Sequence, residues 1–386
     1  MKFLKNIKSN VIVLGITSLF TDISSEMLYP VVPLFLTSVL GAPMSIVGLI
    51  EGVAESAASI LKVFSGWLSD RIGRRRPIVI WGYSLSAIAK PIIFLAYTWP
   101  VVMAARFIDR VGKGVRTSPR DAILADDSER SYRGKAFGLH RAMDSLGACV
   151  GPLVAIWMLT AFKDNLRLVF LAAFIPALIA ILTLIFFLKE SKPKSSSGVK
   201  APKIYLKNLS PEFKRFLLAS SIFAVGNSSD AFLIVRAKDL GLSITMVVAA
   251  YVLYNISYSL LSTPFGALSD RIPRKTVMMA GYTVFAGVYL GFGLTGSANA
   301  VWALFPIYGI YIAMTDGVGK ALASDIAGRE NRATALGIYH FILGIFAFLA
   351  SLVAGLLWAH IGPSAPFLYG AAAALLSCLA FAFLVK

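Results

Sequence analysis

Gly66-Trp-Leu-Ser-Asp70-Arg71-Ile-Gly73-Arg74-Arg75-Arg76 separates two long apolar runs, and Gly266-Ala-Leu-Ser-Asp270-Arg271-Ile-Pro273-Arg274-Lys275 does the same 200 residues later. A short basic segment between two stretches of bilayer length is a loop at a membrane surface, and its return implies a duplicated fold. The rest of the chain agrees. Of its 386 residues 57% are hydrophobic and only 15% charged, where a soluble domain carries about 25% charge. A soluble fold of this length would leave too much apolar surface in water, so a soluble enzyme is excluded.

A helix needs about 20 apolar residues to cross the hydrocarbon core. Twelve stretches qualify: 11–39, 44–67, 77–98, 101–121, 136–160, 167–188, 214–236, 243–266, 276–296, 299–323, 333–359 and 365–385. A β-barrel would show alternating segments of about 10 residues. These runs are long and unbroken, so the expected class is an all-α integral membrane protein. Met1–Asn10 leads straight into the first run without a small-residue cleavage site, which reads as a retained helix.

Lys and Arg gather in the segments that an inside amino terminus would leave in the cytoplasm. The expected location is therefore the cell (inner) membrane, multi-pass, with both termini cytoplasmic. The net charge of +17 then faces anionic lipid. No nucleic-acid partner is expected, because the basic residues sit in short connectors with no recognition element around them. Cys149 and Cys378 fall inside spans and read as packing residues. The three histidines, His140, His340 and His360, are scattered, so neither a metal site nor a cofactor is expected.

One connector is long. Lys189–Pro211 carries KESKPKSSSGVKAPK, a polar, basic stretch rich in Ser and Pro, and reads as a flexible cytoplasmic linker. It divides the chain into a first half at 1–188, the linker at 189–211 and a second half at 212–386. The halves echo each other in order: Ser24–Glu26 with Ser228–Asp230, the two loops quoted above, Asp109–Lys113 with Asp316–Lys320, and Arg133 and Gly138 with Arg332 and Gly337. Duplicated halves are expected of alternating-access transporters.

Here the chain resembles the major facilitator superfamily, along its whole length. The family signature G-x-x-x-D-R-x-G-R-R appears as Gly66, Asp70, Arg71, Gly73, Arg74 and Arg75. The second copy keeps Gly266, Asp270, Arg271 and Arg274 but has Pro273 where glycine is expected. The fourth span carries Arg106, Gly112 and Gly114, and the fifth carries G-x-x-x-G-P as Gly147, Gly151 and Pro152. The resemblance implies twelve helices in two pseudo-symmetric six-helix halves. It implies a conformational latch built from Gly66, Asp70, Arg71, Gly73, Arg74, Asp270 and Arg271, with Gly147, Gly151 and Pro152. The fifth-span motif, with Asp22 followed by Pro30 and Pro33, looks like drug:proton antiporters.

An ionisable residue at the bilayer centre costs about 2.5–3.5 kcal/mol on insertion scales, so it marks a pathway or a partner. In the fourth span Arg106, Asp109, Arg110, Lys113, Arg116 and Arg120 fall within an arc of about 120° at about 100° per residue. Such a stripe faces water or opposing charge. Asp22 and Glu26 lie four apart in the first span, as do Glu51 and Glu55 in the second, with Lys62 further on. Paired carboxylates raise each other's affinity for protons, which suits Asp22, Glu26, Glu51 and Glu55 to proton coupling. In the second half Tyr251 and Asn255 take the places of Glu51 and Glu55.

The candidates for substrate binding are therefore Arg106, Asp109, Arg110 and Lys113, with Asp230, Tyr251, Asn255, Tyr258 and Asp316. The competing reading locks every charge in a structural salt bridge. His140, Arg141 and Asp144 read as a structural or gating bridge. Lys90 in the third span fits no role in this scheme.

The expected function is a proton-coupled secondary transporter of a small organic solute, working by alternating access and exporting. The alternatives are an importer of an organic anion or metal–chelate, and a non-transporting membrane receptor or lipid-handling scaffold. No G-x-x-x-x-G-K-[ST] loop is present, which argues against ATP-driven pumping. Lipid, protons and the solute are the expected partners, and a monomer the expected state.

Overall fold

The computed structural model describes residues 8–128, 132–190 and 209–385, with backbone alone at 133 and 328–334. Most of the Lys189–Pro211 linker and the side chains of the Arg133–Arg332 echo lie outside the described residues. Everything described is helix and short connection, as a bilayer demands: a backbone without water must satisfy its own N–H and C=O groups.

The helices are α1 Ser9–Leu28, α2 Val31–Leu34, α3 Met44–Ile72, α4 Arg76–Phe94, α5 Trp99–Asp126, α6 Arg133–Ala161 and α7 Leu166–Phe187. They continue as α8 Pro211–Gly226, α9 Ala231–Asp239, α10 Ile244–Ser269, α11 Arg274–Leu294, α12 Val301–His360 and α13 Ala365–Leu384. Among the described residues eleven segments are long and apolar enough to cross a membrane. The twelfth crossing, α5, falls short on apolarity because of its charged stripe. Starts are set locally: Asn165, Ser210 and Ser243 each accept from a backbone N–H three residues on, capping α7, α8 and α10.

The first crossing of each half is broken. α1 ends at Leu28, turns at Tyr29 and Pro30, and resumes as α2 and a π-helical turn, Phe35–Val39. In the second half the chain leaves the helix after Gly226 and re-enters at Ala231. Both breaks sit at or just after the echoed Ser24–Glu26 and Ser228–Asp230 triplets.

The tenth and eleventh spans, expected as separate helices, form the single 60-residue run α12. It doubles back on itself. Tyr311 and Tyr339 would stand about 42 Å apart on a straight helix. Yet Tyr311 meets Phe223 and Tyr339 meets Phe216, two neighbours on α8. A Cβ on Gly319 would lie 2.9 Å from the Tyr339 hydroxyl.

The chain divides into two compact units, Met1–Val32 with Ala57–Lys203, and Pro33–Ser56 with Ile204–Lys386. In the first, α1 packs on α6 and α7, and α4 on α5 and α7. In the second, α12 packs on α10, α11 and α8, and α13 on α8 and α11. The first half of α3 belongs to the second unit. There a Cβ on Gly52 would stand 2.9 Å from the Phe348 carbonyl, and one on Gly355 2.6 Å from that of Met44. This is close small-residue packing of the kind that joins helices in lipid. Phe186, Phe187, Leu376 and Phe383 stand exposed on α7 and α13, as side chains facing acyl chains do.

Candidate functional site

Small residues bring the charged helices of the first unit together. A Cβ on Gly147 of α6 would lie 2.8 Å from the Asp22 Cβ and 2.7 Å from the Leu19 carbonyl. A Cβ on Gly151 would lie 2.9 Å from the Glu26 Cβ and 2.6 Å from the Ile23 carbonyl. The G-x-x-x-G-P glycines thus press α6 against the turns of α1 that carry Asp22 and Glu26. Asp22 has Asp144, Glu26, Lys113 and Arg116 as its charged neighbours. Ser18, one turn before Asp22, donates through Oγ to Asp144 Oδ1. Asp144 Oδ2 lies 3.5 Å from His140 Nδ1 and 4.0 Å from Arg141.

The stripe on α5 separates into distinct environments. Asp109 is held by Lys90 of α4, whose Nζ stands 2.8 Å from Oδ1 and also donates to the Ser86 carbonyl at 2.6 Å. Lys90 is 1% exposed. It is the ion-pair partner of Asp109, a placement that the sequence pattern did not give. Arg116 donates to Ser86 Oγ at 2.6 Å and lies over the Tyr83 ring at 4.2 Å. Arg106 and Arg110 are buried, their guanidinium carbons 6.0 and 5.9 Å from the centre of the Tyr29 ring. Tyr29 lies at the α1 break, so the break presents a ring to two arginines. Lys113 stays exposed and Asp22 half-buried.

The four carboxylates expected to act together are divided between the units. Glu51, 1% exposed, lies with Glu55 in the second unit. There Ser229 Oγ stands 3.4 Å from Glu51 Oε2. Ser229 belongs to the break before α9, where its N–H donates to Ser351 Oγ at 3.2 Å and its Oγ accepts from the Ala231 N–H at 3.3 Å. The next residue, Asp230, accepts from the Tyr308 hydroxyl at 2.7 Å.

Tyr251 and Asn255 are buried on α10. Tyr251 packs against Tyr254, and Tyr254 against Tyr308, at 5.3 and 5.5 Å between ring centres. Tyr258 is half-buried, and Asp316 pairs with Lys320 at 2.7 Å. Tyr308 stands with Tyr251, Tyr254, Asn255, Tyr258 and Tyr311 among the second-half residues that the sequence suits to cradling a solute. Only the fold brings it to Asp230.

Of the residues expected in a latch, Asp70 and Asp270 each enter an ion-paired triad, one in each unit. Arg75 donates to Asp70 at 2.7 Å and to Asp126. Burial of the Arg75 guanidinium opposes its charge, but the hydrogen bonds it donates to Asp70 and Asp126 outweigh this and raise its pKa above the ordinary arginine value. Glu190 accepts from the backbone N–H of Arg75 at 2.9 Å and of Arg76 at 3.2 Å, anchoring the start of the linker at the head of α4. In the second unit Arg274 meets Asp270 at 3.0 Å and Asp325 at 3.2 Å.

Gly73 has φ +71°, a left-handed turn that favours glycine. Pro273 stands in its place, at φ −54° before α11, and the triad forms without the left-handed turn. Arg71 and Arg74 are exposed, Arg71 lying 5.5 Å from the Trp67 ring centre. Among the described residues no three His, Cys, Asp or Glu side chains converge as a metal set.

The model of the Major Facilitator Superfamily matches residues 14–235 and again 215–386. The chain belongs to the Major Facilitator Superfamily. As a member it is a multi-pass secondary transporter and not an enzyme. It is similar to an MFS-type transporter of Methanocaldococcus jannaschii, 39% identical over 388 residues and covering 98% of this chain and 96% of that one. It is more distantly similar to the multidrug resistance protein MdtL of Escherichia coli, 28% identical over 306 residues, with 76% and 73% covered. Among solved structures the nucleoside transporter NupG (D323A mutant) superposes with a TM-score of 0.82 at 14% identity, over 97% of this chain and all of that one. That likeness is one of fold. A D-xylose–proton symporter, with a TM-score of 0.77 and 18% identity over 99% of this chain and 98% of that one, shares it.

Proposed function

We propose that the protein is a proton-coupled transporter that exports a small organic solute across the cell membrane, with both termini cytoplasmic. The observation that carries this reading is the setting of Asp22. It lies deep in a span, keeps some exposure, and has two carboxylates, Asp144 and Glu26, and two cations, Lys113 and Arg116, as neighbours. A carboxylate so placed binds or loses a proton according to small changes in the distances to those charges. Glu26 shares the site, and Glu51 and Glu55 supply a second acidic locus beside the α8–α9 break. Export is supported by the fifth-span glycines and by the similarity to a protein named for multidrug resistance.

Arg106 and Arg110 are the proposed contacts for an anionic group on the solute. Their neighbour Asp109 is already held by Lys90, so the two guanidinium groups and the Tyr29 ring form a cationic, aromatic surface. Buried Arg recognises a carboxylate or phosphate in two-point fashion. Asp230, Tyr251, Asn255 and Tyr258 are the proposed lining in the second unit. The basic loops with their Arg–Asp triads are the proposed latch.

The test is reconstitution into liposomes loaded with pyranine, with ethidium as the organic-cation probe and fluorescein as the organic-anion probe. Proton movement linked to one of them is expected, abolished by Asp22→Asn and reduced at least tenfold by Glu26→Gln. No proton movement with either probe, or full coupling in both variants, overturns the reading. Proton movement in the same direction as the solute replaces the exporter with an importer.

A further inference from the structure

We propose that His140 and Asp144 form a proton relay between Asp22 and the end of α6 that begins at Arg133. The inference rests on the proton-coupled reading and adds to it a path. Asp22 sits in mid-span. Such a carboxylate can exchange protons with one side along polar side chains that border the packed α1–α6 contact. That contact is close: Gly147 and Gly151 leave no room for water between the two backbones. The side chains beside it supply polar atoms in a row. Asp144 is a charged neighbour of Asp22. His140, one turn nearer the helix start, has Nδ1 3.5 Å from Asp144 Oδ2. By helical rise His140 lies about 10 Å, and Asp144 about 16 Å, from the start of α6.

The second observation is the far side of the ring. The His140 side chain is 5% exposed, and its Nε2 is buried with no hydrogen-bond partner among the described residues. A buried polar atom left unmatched is costly, so a purely structural histidine here is poorly explained. An acceptor nitrogen that takes up a proton from time to time has a reason to be left open.

The step balances without electron transfer. A proton arriving from water binds the Nε2 lone pair. The Nδ1–H bond breaks and its proton passes to Asp144 Oδ2, leaving a neutral ring with the hydrogen on Nε2. Asp144 hands its proton to Asp22, and exchange with water, which protonates Nδ1 and takes the hydrogen from Nε2, restores the starting tautomer. The groups facing the relay are Ser18, Asp22 and Glu26 on α1, Lys113, Arg116, Arg120 and Asp121 on α5, and Arg141 on α6. Arg120 and Arg141 bring positive charge towards the ring, and Asp144 and Asp121 negative charge.

Two measurements test the relay. The first needs no solute: the protein, labelled with nitrogen-15 at its three histidines, is titrated by NMR in lipid nanodiscs. Asp22→Asn, which does not touch His140, is expected to move the His140 titration midpoint by at least half a pH unit. A midpoint unmoved by Asp22→Asn overturns the relay. The second uses, in liposomes, whichever of ethidium and fluorescein the parent couples to protons. His140→Gln is expected to slow its proton-driven flux at least tenfold and to leave its counterflow at equal pH within twofold. Equal losses in both make His140 a structural residue and overturn the relay. A parent protein with no proton-linked flux overturns the coupling reading and the relay with it, whereas coupled flux unchanged in His140→Gln overturns the relay alone.

Discussion

Lys90 Nζ and Asp109 Oδ1 stand 2.8 Å apart where α4 crosses α5, and the lysine is almost wholly sealed. The crossing is tight enough to force the pairing. A Cβ on Gly82 would lie 2.8 Å from the Gly112 carbonyl, and one on Gly112 2.7 Å from Ser86 Oγ. A lone buried charge costs several kcal/mol, while a matched pair recovers most of that. Lys90→Met is therefore expected to destabilise the protein by about 3–5 kcal/mol, read as a fall in thermal midpoint in detergent micelles. Lys90→Met with Asp109→Leu should recover most of the loss. A single variant as stable as the parent would show that Asp109 has another partner.

The two loop triads should differ in weight. In the first, Arg75 is 9% and Asp126 16% exposed; in the second, Arg274 is 24% and Asp325 53% exposed. Exposed pairs contribute about 0–1 kcal/mol, and salt screens them. Arg75→Ala is expected to cost about 2–3 kcal/mol, since it strands the two carboxylates Asp70 and Asp126. Arg274→Ala should cost no more than about 1 kcal/mol. Thermal midpoints at low and high salt compare them, and a larger loss for Arg274→Ala would reverse the ranking.

Gly147 and Gly151 should tolerate no side chain. A Cβ at either enters contact with the backbone of α1, which cannot yield as a flexible side chain does. Gly151→Val is expected to hold α1 off α6, displace Glu26, and cut proton-linked flux below about a tenth. Gly138, whose Cβ would meet nothing within 4 Å, serves as the control: Gly138→Ala should transport as the parent does.

Tyr308→Phe removes the hydroxyl that donates to Asp230 at 2.7 Å. The ring keeps its packing against Tyr254 and Tyr311, so the lost hydrogen bond is the main change. The expected cost is about 1–3 kcal/mol in stability, with a weaker apparent affinity for the solute. An unchanged thermal midpoint and KM would mean that Asp230 is satisfied by other groups.

The echoed loops already held both triads in part: Arg75 with Asp70, and Arg274 with Asp270. The third members, Asp126 and Asp325, lie at the same spacing but in segments with no other sign of relation. The G-x-x-x-G-P glycines entered only through the resemblance to proton-coupled exporters, and the structure packs them against the stretch of α1 that carries Asp22 and Glu26. The paired acids Glu51 and Glu55 looked equivalent to Asp22 and Glu26 because sequence gives spacing within one helix. It does not give the partner helix, and the first half of α3 packs with the second unit.

The membrane class, the crossings and the duplication were set by the chain itself, because the cost of exposing polar backbone to lipid depends on composition and length alone. Which charge meets which was decided by tertiary packing. Lys90 with Asp109, Tyr308 with Asp230 and Ser18 with Asp144 all depend on how closely two stretches of helix approach and at what height. Glycines beside them, such as Gly112 and Gly147, set that approach, and a Coulomb interaction in a low-dielectric interior is governed by the distances that result.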